Sequence, residues 1–427
     1  MMTPPANPSR RAVLGGALGL AAAGVLGACG SNKGTGATTG GSSGTKVSLS
    51  QWYHQYGEKG TQEAAKKYAA EYTGAGVQIQ WIPGDYPAKL SSGLSSGNGP
   101  DAFESHLERS LVSSGQIVPL DDLIADVKDD YSEGDLAANS IDGKLYSIPM
   151  INDPQMIYYR KSLFEAKGIK PPQTVDDLIA AAKELSDKSV KGLFAGNDAN
   201  NTGGGLFPAA IYATGGRLLT PEHKVGFDPA KVAEVLVKLR KLSADKSLLL
   251  GAPTDWWDPS AINQNLCAMQ WIGMWAVPGM TTALGADDLG VFPFPAADGG
   301  KPAVISGGWS AFVSAKSKNV DAAKAFTKWL WVEKTDLQED WSLSYGFHIP
   351  PRKSLAAKAS KLQSGPAAES VKLNTEYGVQ GNPNWTPAMN TALTDAVTRV
   401  IGKGADPEKE LAGAVKKVTT ELDKIFG

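Results

Sequence analysis

Cysteine and histidine are both scarce: the 427-residue chain has two Cys, Cys29 and Cys267, and four His, His54, His106, His223 and His348. Two thiols so far apart exclude a disulfide framework and a Cys-built zinc module. A surplus of either charge is missing as well. With 42 Lys+Arg against 44 Asp+Glu and a net charge of -2, there is no basic field to attract phosphate backbones, so no nucleic acid partner is expected. The chain has no G-x-x-x-x-G-K-[ST] loop, no G-x-G-x-x-G turn and no H-E-x-x-H helix, which sets aside the common nucleotide and zinc-protease sites. G-x-S-x-G occurs at 40–44 and 93–97, but one copy lies in a Gly/Ser-rich stretch and the other follows a helix-like run. Neither is a nucleophile turn between strand and helix. No motif singles out a catalytic carboxylate pair, and no cofactor is implied. The pattern favours binding over turnover. A metal site assembled by folding from His54, His106 and His348 stays open as an alternative.

What is present begins with an address. Arg10 and Arg11 precede the apolar run 12–28, and Ser9-Arg10-Arg11-Ala12-Val13-Leu14 resembles the twin-arginine export motif. Leu26-Gly27-Ala28-Cys29 resembles a bacterial lipobox, so residues 1–28 are expected to be a cleaved signal peptide and Cys29 a lipidation site. An uncleaved anchor helix is the alternative. Residues 29–45 are rich in Gly, Ser and Thr with no large apolar side chain, and read as a flexible tether.

From Val47 onward the periodicities alternate. Val47 to Trp52 and Val77 to Trp81 have period two, residues 60–72 are helix formers, and Asp101-Ala102-Phe103 after a turn cluster reads as a third strand. Thr174 with Asp177 three residues on, Asp228-Pro229 and Asp406-Pro407 are helix starts, each followed by apolar residues three and four apart. Further strands are expected at 144–149, 155–159, 290–294, 303–305 and 310–314. The length calls for at least two domains, and strand–helix–strand order predicts parallel α/β sheets.

Several motifs then occur in a fixed order. Gly99-Pro100-Asp101-Ala102 is followed by Gly115-Gln116-Ile117-Val118-Pro119-Leu120-Asp121-Asp122-Leu123 and by Asp142-Gly143-Lys144-Leu145-Tyr146-Ser147-Ile148-Pro149. Next come Ile157 to Phe164, Gly168, Pro171-Pro172-Gln173-Thr174, then Ala268-Met269 with Gly273 and Trp275. Ser306-Gly307-Gly308-Trp309, a helix at 321–331 and Ile349-Pro350-Pro351-Arg352-Lys353-Ser354 complete the set. Together they resemble the family 1 extracellular solute-binding proteins, sugar-binding lipoproteins of bacterial ABC importers similar to maltose-binding protein. Arg160 stands where the family usually has Asn.

The resemblance implies a two-lobed periplasmic-binding-protein type II fold, an α/β architecture with a central sheet in each lobe flanked by helices. Lobe 1 would comprise 46–151 plus 309–347 and lobe 2 would comprise 154–305 plus 350–427, with three hinge crossings near 151–153, 306–308 and 348–349. It also implies a monomer that captures a small-molecule solute, delivers it to a separate permease, and sits lipid-anchored on the outer face of the cell membrane. Enzymatic activity is not expected.

Ligands in open α/β sheets sit beyond the carboxyl ends of strands, and in two-lobed proteins between the lobes. That selects Tyr53, His54 and Gln55 after the first strand, Glu104 and His106 after the third, and Asn152 and Asp153 at the first crossing. Tyr53 and His54 are read as outside the core because Gln51 and Gln55 flank them. Eleven Trp are present, and Trp256-Trp257-Asp258 in a loop is the expected stacking platform for a sugar ring. Trp275, Gly308, Trp309 and Arg352 fall on family motifs, and Trp385 is a loop aromatic that lids a cleft. Trp329, Trp331 and Trp341 are assigned to packing. Two other readings remain: an importer component for a non-sugar solute, such as a glycerophosphodiester or an amine, and a secreted glycan-active enzyme.

Overall fold

Strands with apolar residues on both faces must be covered on both, and this chain builds two such sheets. The structure, a computed structural model, describes residues 47–197 and 206–427. The expected signal peptide, Cys29 and the tether lie outside the described residues. In chain order the strands are β1 (Ser48–His54), β2 (Gly76–Ile82), β3 (Ala102–Ser105), β4 (Ser140–Ile141), β5 (Lys144–Leu145), β6 (Ile148–Pro149) and β7 (Gln155–Arg160). They continue with β8 (Lys191–Phe194), β9 (Cys267–Gly273), β10 (Leu289–Phe292), β11 (Val304–Ser306), β12 (Ser310–Val313) and β13 (Gly378–Gln380).

The first sheet has the order β2-β1-β3-β12-β6, and the second β13-β11-β7-β9-β8 with β10 also on β7. β1 runs parallel to β2 and β3, while β12 is antiparallel to β3. Leu49 and Tyr53 of β1 enter one core with Phe326, Trp331 and Trp341, whereas Trp52 enters the opposite core with Tyr86, Leu94 and Phe103. β7 divides likewise: Ile157 and Tyr159 face Leu178 and Trp271, and Met156 and Tyr158 face Ile272 and Val304. This is the period-two alternation of a doubly covered strand.

The helix starts read from sequence are present. Thr174 and Asp177 form a reciprocal capping box on the helix Val175–Glu184, and Asp228 and Asp406 cap Pro229–Ala244 and Pro407–Phe426. Asp85 caps Tyr86–Ser96 by accepting from the Ala88 N–H. The strand expected at 144–149 is two separate ones. β5 pairs with β4, β6 joins the first sheet, and the chain turns at Tyr146-Ser147, where buried Ser147 donates to Asn139 at 2.5 Å. Arg160 is tied to Asp288 at 3.0 Å and Asn265 at 2.6 Å, anchoring the end of β7.

Three chain passages join the sheets, and they lie side by side. Asn152 and Ile349 exchange backbone bonds of 2.9 Å, Asp153 N–H donates to Gly307 at 2.7 Å, and Met150 N–H to Trp309 at 3.0 Å. Gly308 has φ 147°, and a Cβ there would lie 1.9 Å from the Ile151 carbonyl oxygen. The expected ligand-contacting Gly308 is therefore a hinge residue, a glycine because two crossings touch. Among the described residues no helix is long and apolar enough to cross a membrane.

Candidate functional site

At the carboxyl ends of β1 and β3, one buried carboxylate organises the first-lobe wall. Glu104 is fully buried. Its Oε1 accepts from the His54 N–H at 2.7 Å and contacts His54 Nδ1 at 2.5 Å, and its Oε2 accepts from Tyr56 at 2.6 Å. Burial and Glu104 raise the Tyr56 pKa well above its ordinary value, so the phenol stays a donor. Glu104 takes up His54 Nδ1, which leaves Nε2 for a ligand. The expected ligand contact Glu104 thus positions its neighbours instead.

His54 stacks on Trp309 with ring centres 4.0 Å apart and an interplanar angle of 20°, and His106 lies 4.7 Å from the same indole. His106 is exposed, yet the surrounding protein and then His54 lower its pKa, which keeps it neutral near pH 7. These rings form an aromatic wall with polar edges.

The opposing wall comes from the loop before β9 and from its end. Trp257 is 49% exposed, and its carbonyl accepts from Trp275 Nε1 at 2.9 Å. Trp256 meets Trp275 edge to face at 5.9 Å. A Cβ at Gly273 would lie 1.7 Å from the Trp275 ring, so glycine there lets the indole fold back over the end of β9. The two walls come together at Gly57, where an added Cβ would lie 4.0 Å from the Trp257 ring.

Beneath them lies an ionic cluster on the hinge. His348 Nδ1 contacts Asp153 at 2.5 Å, and its Nε2 is 3.7 Å from Glu58. Burial works against the imidazolium, but Asp153 and then Glu58 outweigh it and raise the His348 pKa. Burial likewise raises that of Glu58, against the pull of His348. Asn152 donates to Asp135 at 3.2 Å, and Asp135 also accepts from Gln380 of β13 at 2.9 Å.

The structure thus brings together His54, His106 and Trp309 on one side and Trp256, Trp257 and Trp275 on the other. Other expected residues lie elsewhere. Tyr53 is 1% exposed and packs 6.0 Å from Trp81 and 5.7 Å from Trp341: β1 is a central strand, so its odd positions are core. Asp258 accepts from Thr254 and from the Ser260 N–H at 2.8 Å each, with the Ser260 hydroxyl as a third partner, and so structures its own loop. Arg352 is held by Asp130 at 2.8 Å and the Val332 carbonyl at 3.0 Å. Trp385 packs half-buried against the second-lobe core, which makes it a packing residue. Gln55 is exposed, with its N–H donating to Ile82, and Asp153 is engaged by His348. Tyr56 and Glu58 were not singled out from sequence, although both lie in the loop that leaves β1. The three-histidine metal alternative is not assembled: among the described residues no group of His, Cys, Asp and Glu is arranged to hold an ion.

Comparison with known proteins adds the following. Residues 52–334 match the family model for bacterial extracellular solute-binding proteins. The chain is 26% identical over 362 residues to a diacetylchitobiose binding protein of Streptomyces coelicolor, covering 79% of each. It is 23% identical over 422 residues to a galactooligosaccharide-binding protein of Bacillus subtilis, covering 93% of this chain and 94% of that one. Among solved structures, the GacH receptor of Streptomyces glaucescens, crystallised unliganded and with acarbose, superposes with TM-score 0.75 at 22% identity over 88% of this chain and 99% of that one. An ABC substrate-binding protein of Listeria monocytogenes in complex with cycloalternan gives 0.72 at 20% identity, over 88% and 99%.

Proposed function

Since this chain belongs to the bacterial extracellular solute-binding protein family, we propose that it captures a carbohydrate, an oligosaccharide, between its lobes and delivers it to the permease of an ABC importer. The observation that carries the reading is the pair of aromatic clusters, His54, His106 and Trp309 in one and Trp256, Trp257 and Trp275 in the other, which approach each other where Gly57 meets Trp257. Sugar rings present C–H groups to an aromatic face and hydroxyls around the edge, which imidazole and backbone groups bond. Relatives named for diacetylchitobiose and galactooligosaccharide support the same class.

In this reading lobe 1 is 46–151 plus 309–347 and lobe 2 is 154–305 plus 350–427. Solute shifts the equilibrium toward closed lobes, and the closed form docks on the permease. The protein acts as a monomer without catalysis. The twin-arginine signal is cleaved after residue 28, and lipidated Cys29 with its tether holds the body at the outer face of the cell membrane. A thermal-shift screen over mono- and oligosaccharides, phosphodiesters and amines tests the substrate class. A binder at about a hundred times its Kd adds roughly 2.7 kcal/mol of stability. Saccharides are expected to raise Tm; a response confined to amines or phosphodiesters would reassign the solute.

A further inference from the structure

Away from both aromatic walls and from the hinge, a single guanidinium is held by both lobes. Arg109 opens the short helix Arg109–Ser113 that follows β3. Its backbone N–H donates to the Pro383 carbonyl at 2.9 Å and its Nε to Asn384 Oδ1 at 2.6 Å. Nη1 and Nη2 fork onto Asp142 at 2.9 and 2.7 Å. The guanidinium carbon lies 4.9 Å from the centre of the Phe426 ring, which stacks on His223 at 3.9 Å and 2°. Arg109 and Asp142 belong to elements around the first sheet. Pro383 and Asn384 lie in the loop after β13, Phe426 ends the last helix, and His223 sits in the turn bridged by Leu219 and Val225; all of these belong to the second-sheet side.

The division of labour follows from the geometry. Asp142 shares a lobe with Arg109, so their fork does not bind the lobes together; it orients the guanidinium so that Nε faces Asn384 and the flat side faces Phe426. The contacts that span the lobes are the backbone bond, the charge-assisted bond to Asn384 and the cation–π contact. Asp142 and His223, with φ of 50° and 58°, are two of the four non-glycine positive-φ residues among those described. With its side chain 15% exposed and Nε, Nη1 and Nη2 each holding a protein partner, Arg109 is placed to join the lobes rather than to meet a solute.

We propose that Arg109 is a closure latch, a positioning residue that stabilises the closed pair of lobes through Asn384, Pro383 and Phe426 and so sets the open–closed equilibrium without touching the solute. This rests on the reading that solute is held between the lobes. The latch itself is tested on the solute-free protein, so its failure and the failure of the sugar assignment are separate results.

The experiment is double electron–electron resonance on the full chain carrying Cys29→Ser, with spin labels at Ser95→Cys and Lys188→Cys, exposed positions on the two lobes. Cys267 is buried and unreactive. Wild-type background is expected to show a short-distance closed population. Asn384→Ala should lower the closed-to-open ratio roughly tenfold, the scale of one hydrogen bond to a charged group, and Arg109→Ala should lower it further because it also removes the contact with Phe426. Because the bond to Asn384 is lost in both, the double variant should do little more than Arg109→Ala alone. Circular dichroism and an unchanged melting cooperativity show that the lobes still fold. A wild type with only the long distance, an Arg109→Ala distribution equal to wild type, or strictly additive effects of the two substitutions would each overturn the latch.

Discussion

At the scale of the residue, charge and burial decide what each polar group does. His348 is enclosed by Asp153 and Glu58, and its pKa lies above the ordinary 6.5 because these carboxylates outweigh burial. A raised folded-state value means that the contribution is complete below about pH 6.5 and is lost as pH rises through that higher value. The gap in thermal midpoint between wild type and His348→Gln should narrow as pH rises above about 6.5; a constant gap would contradict the ion-pair account. Tyr53 gives a second check. Its ring packs against Trp81 and Trp341, so Tyr53→Phe should leave solute affinity unchanged in a calorimetric titration, whereas a ligand contact would lose affinity on removal of the hydroxyl. The flanking Gln51 and Gln55 suggest an exposed stretch in sequence, yet Gln51 is itself 2% exposed, with Nε2 donating to the Trp52 carbonyl. A polar neighbour reports little about burial in a central strand, because a glutamine can satisfy itself on adjacent backbone. The sequence places Glu104 after the third strand, whereas it lies inside β3 near its carboxyl end, paired with Ala311, and its partners His54 and Tyr56 are a product of folding.

At the scale of the element, legibility followed local chemistry. Thr174, Asp228 and Asp406 announce their helices because a cap and the first turn are contiguous in sequence. Thr174→Ala removes one side of a capping box and should cost about 1 kcal/mol in urea unfolding; an unchanged midpoint would show the box to be idle. β4, β5, β6 and β13 have two or three residues each, too few for a period, so the break within 144–149 and the strand at 378–380 are set by tertiary pairing alone. The crossings depend on close approach. Gly308→Ala would push a methyl into the Ile151 carbonyl, and its backbone conformation alone should cost more than about 1 kcal/mol, read as a lowered Tm. A melting curve matching wild type would mean that the crossings can separate without loss.

At the scale of the whole molecule, two doubly covered sheets joined by three hydrogen-bonded crossings make a body with a firm hinge below and aromatic walls above. The two-lobed plan was legible only through the family resemblance that the motifs distributed along the chain carry; strand–helix order by itself gave parallel α/β sheets and at least two domains. How the walls approach each other was not legible, because Trp309 and Trp257 are 52 positions apart and belong to different sheets. The near-neutral net charge of -2 suits an uncharged solute, which needs no steering field. The central claim is that a saccharide is held between these walls, and isothermal titration calorimetry of an oligosaccharide panel against wild type and Trp257→Ala tests it most directly. The account predicts saturable one-to-one binding with a negative heat-capacity change, weakened by about 1 to 3 kcal/mol in the variant. Absence of saturable binding to every saccharide, or equal affinity in the two proteins, would contradict it.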